Sequence, residues 1–219
     1  FETVCACNGK EALDLALADP PDLILLDIAM PVMDGQQCLA GSRILVQRSV
    51  HDEFIARYTR AVDDAVIGDP YGDVLYGPMI HQRFATRFED WLGLISDHHR
   101  VSGSSATGRI TSSNPRAGFV GDPDAGIYYH PTVVDGVTRE DDLYSTETFG
   151  PLVGVASFGE FDEAIDLANG HGYGLSAAIY TTNPKHAFRF RERCSAGMIS
   201  VNNSTSGAEA HLPFGGNGK

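Results

Sequence analysis

The chain has 219 residues, 42% of them hydrophobic and 21% charged, which is ordinary globular usage with enough apolar content to bury a core. Its 16 Lys and Arg against 29 Asp and Glu give a formal net charge of −13, which argues against holding nucleic acid by its phosphates. No apolar run approaches the roughly 18 residues of a membrane-crossing helix, so no membrane partner is expected. Four cysteines, Cys5, Cys7, Cys38 and Cys194, are too sparse for a disulfide framework and point to a reduced, cytoplasmic chain. Phe1 is not a start methionine and Lys219 directly follows a Gly-rich run, so both ends read as cut.

Asn8 can cap a helix whose apolar positions Ala12, Leu13, Ala16 and Leu17 recur at helical spacing, and Pro20-Pro21 stops it. Leu23 to Ile28 is a continuous apolar run interrupted by Asp27, as in a buried parallel strand. Met30 to Gly35 is a turn. Ile44 to Gln47 reads as a short strand. Ser49 and Asp52 have capping-box spacing before a helix with Phe54, Ile55, Tyr58, Ala61, Val62, Ala65 and Val66 on one face, ended by Gly68 and Pro70. A second helix uses Ile80, Phe84, Phe88, Trp91, Leu92 and Ile95. His98 and His99 are adjacent, expected to be exposed, and wrongly spaced for two ligands on one helix face. A Gly/Ser-rich loop follows near residues 101–108. Strands are expected over 153–158, 176–180 and 198–202, with helices over 161–168 and around 185–193 between them. Strands alternating with helices indicate an α/β domain.

Two resemblances overlay this pattern. Asp22 to Gly35, with Asp27 closing a strand and Pro31 and Asp34 in the turn after it, resembles the core of a response-regulator receiver domain, and Asn8 to Leu13 resembles the helix before it. The resemblance makes Asp27 the phosphoacceptor. The acidic pair for Mg²⁺ and the later hydroxyl and lysine of such domains do not occur in matching context. A carboxylate without its divalent ion cannot offset the charge of an incoming phosphoryl group.

Beyond Gly35 the chain resembles the catalytic domain of the aldehyde dehydrogenase superfamily. Gly35 to Cys38 with Ala40 to Arg43 resembles the nucleophile segment, Glu147 to Pro151 the cofactor-contacting segment, and Pro213 to Gly216 the late Gly-rich turn. They occur in the family's order, and Tyr76-Gly77-Pro78 and Tyr129-His130-Pro131-Thr132 match further positions. The resemblance implies that Cys38 is the thiolate that adds to an aldehyde, giving a thiohemiacetal that yields hydride and leaves a thioester. Glu147 then holds the nicotinamide ribose and Phe149 packs on the nicotinamide. Ser206 to Glu209 resembles the substrate-anchoring loop of the antiquitin-like branch, with Gly207, Ala208 and Glu209 contacting the substrate. That branch's lysine-pathway members carry Arg before the nucleophile, where this chain has Gln37, which lacks a carboxylate-binding guanidinium.

The expected architecture is α/β: residues 1–35 a partial βαβ-type receiver fragment, residues 36–219 an incomplete aldehyde dehydrogenase catalytic domain with a mostly parallel sheet. Leu23 to Ile28 is expected to dock beside that sheet as an extra strand. The family's general base, oxyanion amide and most of its dinucleotide-binding domain lie upstream of the nucleophile and are not found here. The expected function is oxidation of an aldehyde or semialdehyde with NAD or NADP, inactive in this chain alone and with no cofactor bound to it alone. The partners are a small-molecule aldehyde and further copies of the chain, and no metal is expected. The alternatives are a phosphorelay receiver acting through Asp27, or a fusion of two gene fragments without function.

Overall fold

The computed structural model describes residues 36, 38–102, 107–205 and 211–218. Asp27, the Leu23 to Ile28 run and the whole 1–35 segment lie outside the described residues, as do Gly207, Ala208 and Glu209. In chain order the elements are β1 (Arg43–Gln47), a 3₁₀ turn (Arg48–Val50), α1 (His51–Asp64), α2 (Gln82–Leu92), β2 (Arg100–Ser102), β3 (Arg109–Ile110), β4 (Tyr128–Tyr129), β5 (Thr132–Asp135), α3 (Asp142–Ser145), β6 (Leu152–Phe158), α4 (Phe161–Asn169), β7 (Ser176–Ile179), α5 (Pro184–Arg193) and β8 (Met198–Val201).

The central sheet has the order β1-β6-β5-β2. β1 pairs parallel with β6, from Arg43 opposite Gly154 to Gln47 opposite Phe158, and β6 pairs parallel with β5. β2 closes the edge antiparallel to β5, so the sheet is mixed. Period-two alternation sends its side chains into two clusters. Val46, Val133, Val153 and Val155 meet Phe54, Ile55, Tyr58 and Val62 of α1 on one side. On the other, Val134 and Leu152 join Ala85 and Phe88 of α2 and Leu167 of α4. The result is a helix–sheet–helix sandwich. Phe88 is fully buried, edge-on to the rings of Tyr129 and Trp91. β7 and β8 form a separate parallel pair, with Ser176 opposite Met198.

Several local expectations are corrected. Ser49 caps nothing: it lies inside the 3₁₀ turn, and Val50 precedes α1 without a side-chain cap. Asp52 and Glu53 instead place negative charge in the first turn, where the helix dipole favours it. α1 ends at Asp64, before Gly68 and Pro70. Gly68 serves a close crossing, because a Cβ there would lie 2.1 Å from the Val120 carbonyl oxygen. Ile80 is 72% exposed and precedes α2, whose start is capped by the His81 ring accepting from the Arg83 N–H at 3.0 Å. α5 has a sequence-readable start, with Asn183 accepting from the Lys185 N–H and Pro184 in the first turn.

A charge cluster centred on the buried Asp135 and His51 fixes α1 to the sheet. Asp135 ends β5 at 2% exposure. Its Oδ1 meets His51 Nε2 at 2.8 Å, and its Oδ2 accepts from Arg100 Nε and Nη2 at 3.0 and 2.5 Å. His51 Nδ1 lies 3.0 Å from Asp52. The bonds to Asp52 and Asp135 raise the His51 pKa, with burial opposing. Burial also opposes ionisation of Asp135, but His51 and Arg100 prevail and lower its pKa.

Candidate active site

Cys38 is exposed and sits in a turn that runs into β1 without a helix. The turn is held from both sides. Gln36, 6% exposed, accepts the Ile80 N–H on its side-chain oxygen at 2.8 Å, joining the turn to the segment after Tyr76-Gly77-Pro78. Leu39, 2% exposed, anchors it in the interior. The Leu39 carbonyl accepts the Thr205 hydroxyl at 2.7 Å, joining the turn to the segment that leaves β8.

Arg43 links the same strand to the Glu147 segment. Its Nε donates to the Tyr144 carbonyl at 2.6 Å and its Nη2 to the Thr146 carbonyl at 2.7 Å, while Nη1 reaches the Ser42 hydroxyl at 2.8 Å. The guanidinium also lies 5.1 Å from the centre of the Tyr173 ring. Burial lowers its pKa and the Tyr173, Glu147 and Tyr144 groups oppose that, so a cation is retained among acceptors. Arg43 thereby fixes the Tyr144 and Thr146 carbonyls on either side of Ser145, just ahead of Glu147. Along the segment, Glu147 and Phe149 are half-buried while Thr148 and Gly150 are buried. Thr148 donates its hydroxyl to the Leu152 carbonyl at 2.9 Å, and a Cβ on Gly150 would lie 2.5 Å from the Phe88 ring. This alternation packs one face and leaves Glu147 and Phe149 outward, an arrangement that fits a carboxylate and a ring offered to the nicotinamide riboside end of NAD(P).

Other predicted features fall elsewhere. His99 is buried, which corrects its expected exposure. Its Nε2 lies 3.3 Å from Asp141 Oδ2 and outside hydrogen-bond alignment, and His98 Nε2 lies 3.1 Å from Oδ1. The ligand atoms of the three residues fall within 4.8 Å of one another. The Ser96 N–H donates to His99 Nδ1 at 2.9 Å, so in the neutral ring Nε2 carries the proton instead of a free metal-binding lone pair. Burial of Asp141 opposes ionisation, yet the Thr138 amide and hydroxyl with both histidines hold its carboxyl down at about 2. Cys194 follows α5 half-buried, and burial pushes its thiol up. A cleft of about 580 Å³ is lined by residues including Thr138, Arg139, Glu163 and Asp166 but by none of Cys38, Glu147 and Phe149.

Gln36 and Arg43 fall within the nucleophile motif without an assigned role there, and Thr205 lies just ahead of the Ser206 to Glu209 motif. Arg43 carried the usable signal: a cation opening a buried strand needs acceptors from elsewhere. The carbonyl partners of Arg43 and Thr205 lie 101, 103 and 166 residues away, where no local pattern could reveal them.

Comparison with known proteins addresses ancestry. The family model described as "Aldehyde dehydrogenase family" matches residues 29–219, beginning six residues before the seam expected at Gly35. An aminoacetaldehyde dehydrogenase of Pseudomonas aeruginosa is 33% identical over 220 aligned positions, covering 97% of this chain and 40% of the relative. A 1-pyrroline-5-carboxylate dehydrogenase of Bacillus licheniformis is 32% identical over 184, covering 83% of this chain and 33% of the relative. Betaine aldehyde dehydrogenase of Staphylococcus aureus, solved in complex with NAD+, superposes with a TM-score of 0.75 at 28% identity, covering 84% of this chain and 35% of that one. The chain thus spans between one third and two fifths of the length of these relatives. No receiver domain emerges from these matches. Among the described residues no helix is long and apolar enough to cross a membrane. The ordered motifs and the shared sheet have one origin: this chain belongs to the aldehyde dehydrogenase family.

Proposed function

We propose that the chain carries the nucleophile and nicotinamide-contacting portion of a site that oxidises an aldehyde or small semialdehyde to the acid. The observation that supports this best is the Arg43 bridge, which joins the strand after Cys38 to the peptides before Glu147. The Cys38 thiolate adds to the aldehyde carbon to form a thiohemiacetal. Glu147 and Phe149 would hold NAD or NADP, which supplies the hydride acceptor. Release of the acyl group from the thioester needs a general base, and the adduct's oxyanion needs donors. Both come from outside residues 36–219 in this reading. Loss of a single oxyanion donor slows such chemistry by about 10²–10³-fold, so in this reading residues 36–219 without those groups are effectively inactive.

The relatives named for aminoacetaldehyde and 1-pyrroline-5-carboxylate support a small substrate with a polar far end. Gly207, Ala208 and Glu209 would anchor that end, in the manner of the antiquitin-like branch, while Gln37 argues against a lysine-pathway semialdehyde. The reading includes a cytoplasmic setting and self-association. The test is aldehyde protection of the thiol in the full chain, followed by peptide mass spectrometry. Aminoacetaldehyde should slow alkylation of Cys38 by iodoacetamide and leave Cys194 unaffected, and the chain with NAD+ should form no NADH. Unchanged Cys38 alkylation under saturating aldehyde would remove the nucleophile assignment.

A further inference from the structure

The Thr205 hydroxyl joins two parts of the candidate site that lie far apart in the chain. It donates at 2.7 Å, a good O–H···O distance, to the carbonyl of Leu39, the residue after Cys38. Thr205 is itself held, because its carbonyl accepts from the Ser176 hydroxyl of β7 at 3.2 Å. The segment leading to it is fixed where it leaves β8. There the Asn202 side chain accepts the Thr181 N–H at 2.8 Å and donates to the Thr181 carbonyl at 3.0 Å, and Asn202 turns the backbone with φ of 54°. Thr205 therefore reaches the nucleophile turn from a braced position.

The geometry points to Thr205 as a positioning residue for Cys38, setting the nucleophile turn in register with the strand pair β7–β8. The inference rests on the reading of Cys38 as the nucleophile, and it adds a residue to which that reading gives no role. The carbonyl of Leu39 belongs to the peptide between Leu39 and Ala40, one residue past the nucleophile. A donor on that oxygen holds this peptide plane in one orientation and so fixes the backbone that presents Cys38. Without it the backbone just after the nucleophile is free to turn its carbonyl toward water. The turn also loses its tie to β7 and β8, leaving the Gln36 bond to the Ile80 N–H as the side-chain tether on its other flank.

The test follows alkylation of Cys38 by iodoacetamide against pH in the full chain, by peptide mass spectrometry, with Cys194 as the internal control. Thr205→Val keeps the shape of the side chain and removes the donor, whereas Thr205→Ser keeps the donor. A hydrogen bond of ordinary net strength predicts a fall of about threefold or more in the Cys38 rate at neutral pH for Thr205→Val. Thr205→Ser should restore the wild-type rate, and the Cys194 rate should not change. Equal Cys38 profiles in wild type and Thr205→Val would overturn the inference. So would a fall that Thr205→Ser does not restore, or one that Cys194 shares, since either reports loosened packing. Each of these outcomes can be told apart from failure of aldehyde protection in wild type, which bears on the nucleophile assignment alone.

Discussion

The three strands β1, β6 and β5 of the central sheet and the β7–β8 pair are both parallel arrangements of short strands, yet they are packed very differently. Every residue of β5 is buried, as are the first five of β6, and their side chains feed clusters on both faces of the sheet. In β7 every residue is only half-buried, and β8 ends on Val201 at 43% exposure. Tyr180, Phe188, Leu212 and Phe214, in the same C-terminal part of the chain, are also exposed. The Cys38 turn belongs to neither region alone. Arg43 ties the strand that follows it to the peptides before Glu147, and Thr205 ties it to the pair. The contrast teaches that position at this site is set by a densely packed body and adjusted by a lightly packed one.

The largest break in that contrast should come from the packed body. Phe88→Ala removes a fully buried ring from between Tyr129 and Trp91 and should cost about 3–5 kcal/mol. Ile199→Ala in β8, where the side chain is half-buried, should cost no more than about 2 kcal/mol. Chemical denaturation of the two variants measures the difference, and equal losses would erase the contrast.

Arg43→Ala should come next, at about 2–4 kcal/mol, because it strands the Tyr144 and Thr146 carbonyls and removes a charged donor. Hydrogen exchange should accelerate over residues 144–150 more than in α1. Arg43→Lys should not restore protection, since an ammonium cannot span two carbonyls as the planar guanidinium does.

A smaller effect should appear as opposite pH dependences of two histidines. The His51 pKa is raised in the fold, so its contribution is complete below about 6.5, the unfolded value, and is lost as pH rises through the folded value. Its partner Asp135 has a lowered pKa, and that contribution is lost only in acid, as pH falls through its folded value. His171 lies between α4 and β7, where burial first and then Arg43 push its pKa down to about 4. Its neutral ring is required, so stability falls as pH drops from about 6.5 toward 4. Denaturation midpoints followed from acid to above the folded His51 value should lose their alkaline-side decline in His51→Gln and part of their acid-side decline in His171→Gln. The smallest change belongs to Asp162→Asn, which breaks exposed ion pairs to Arg189 and Arg193 between α4 and α5. It should shift stability by less than about 1 kcal/mol, as exposed pairs do.

Legibility in the sequence follows the same division. β6, α4, β7, α5 and β8 are readable because each presents its pattern over four or more residues, and Asn183-Pro184 marks a helix start by known cap chemistry. β2, β3 and β4 are two or three residues long, too short for any period to register, and β5 has only Val133 and Val134 as apolar residues. Ser49 matched a cap spacing that the 3₁₀ turn made irrelevant, and His99 looked exposed because nothing local announced its burial.

The sequence by itself determined the family and the order of its motifs, because these depend on residue type and spacing along the chain. Only the tertiary structure decided that Arg43 would hold the peptides before Glu147 and that Thr205 would brace the turn of Cys38. The physical reason is that a backbone carbonyl accepts from any donor brought near it. Which donor arrives is settled by how strands distant in sequence pack together, a choice that is not written in the residues beside it.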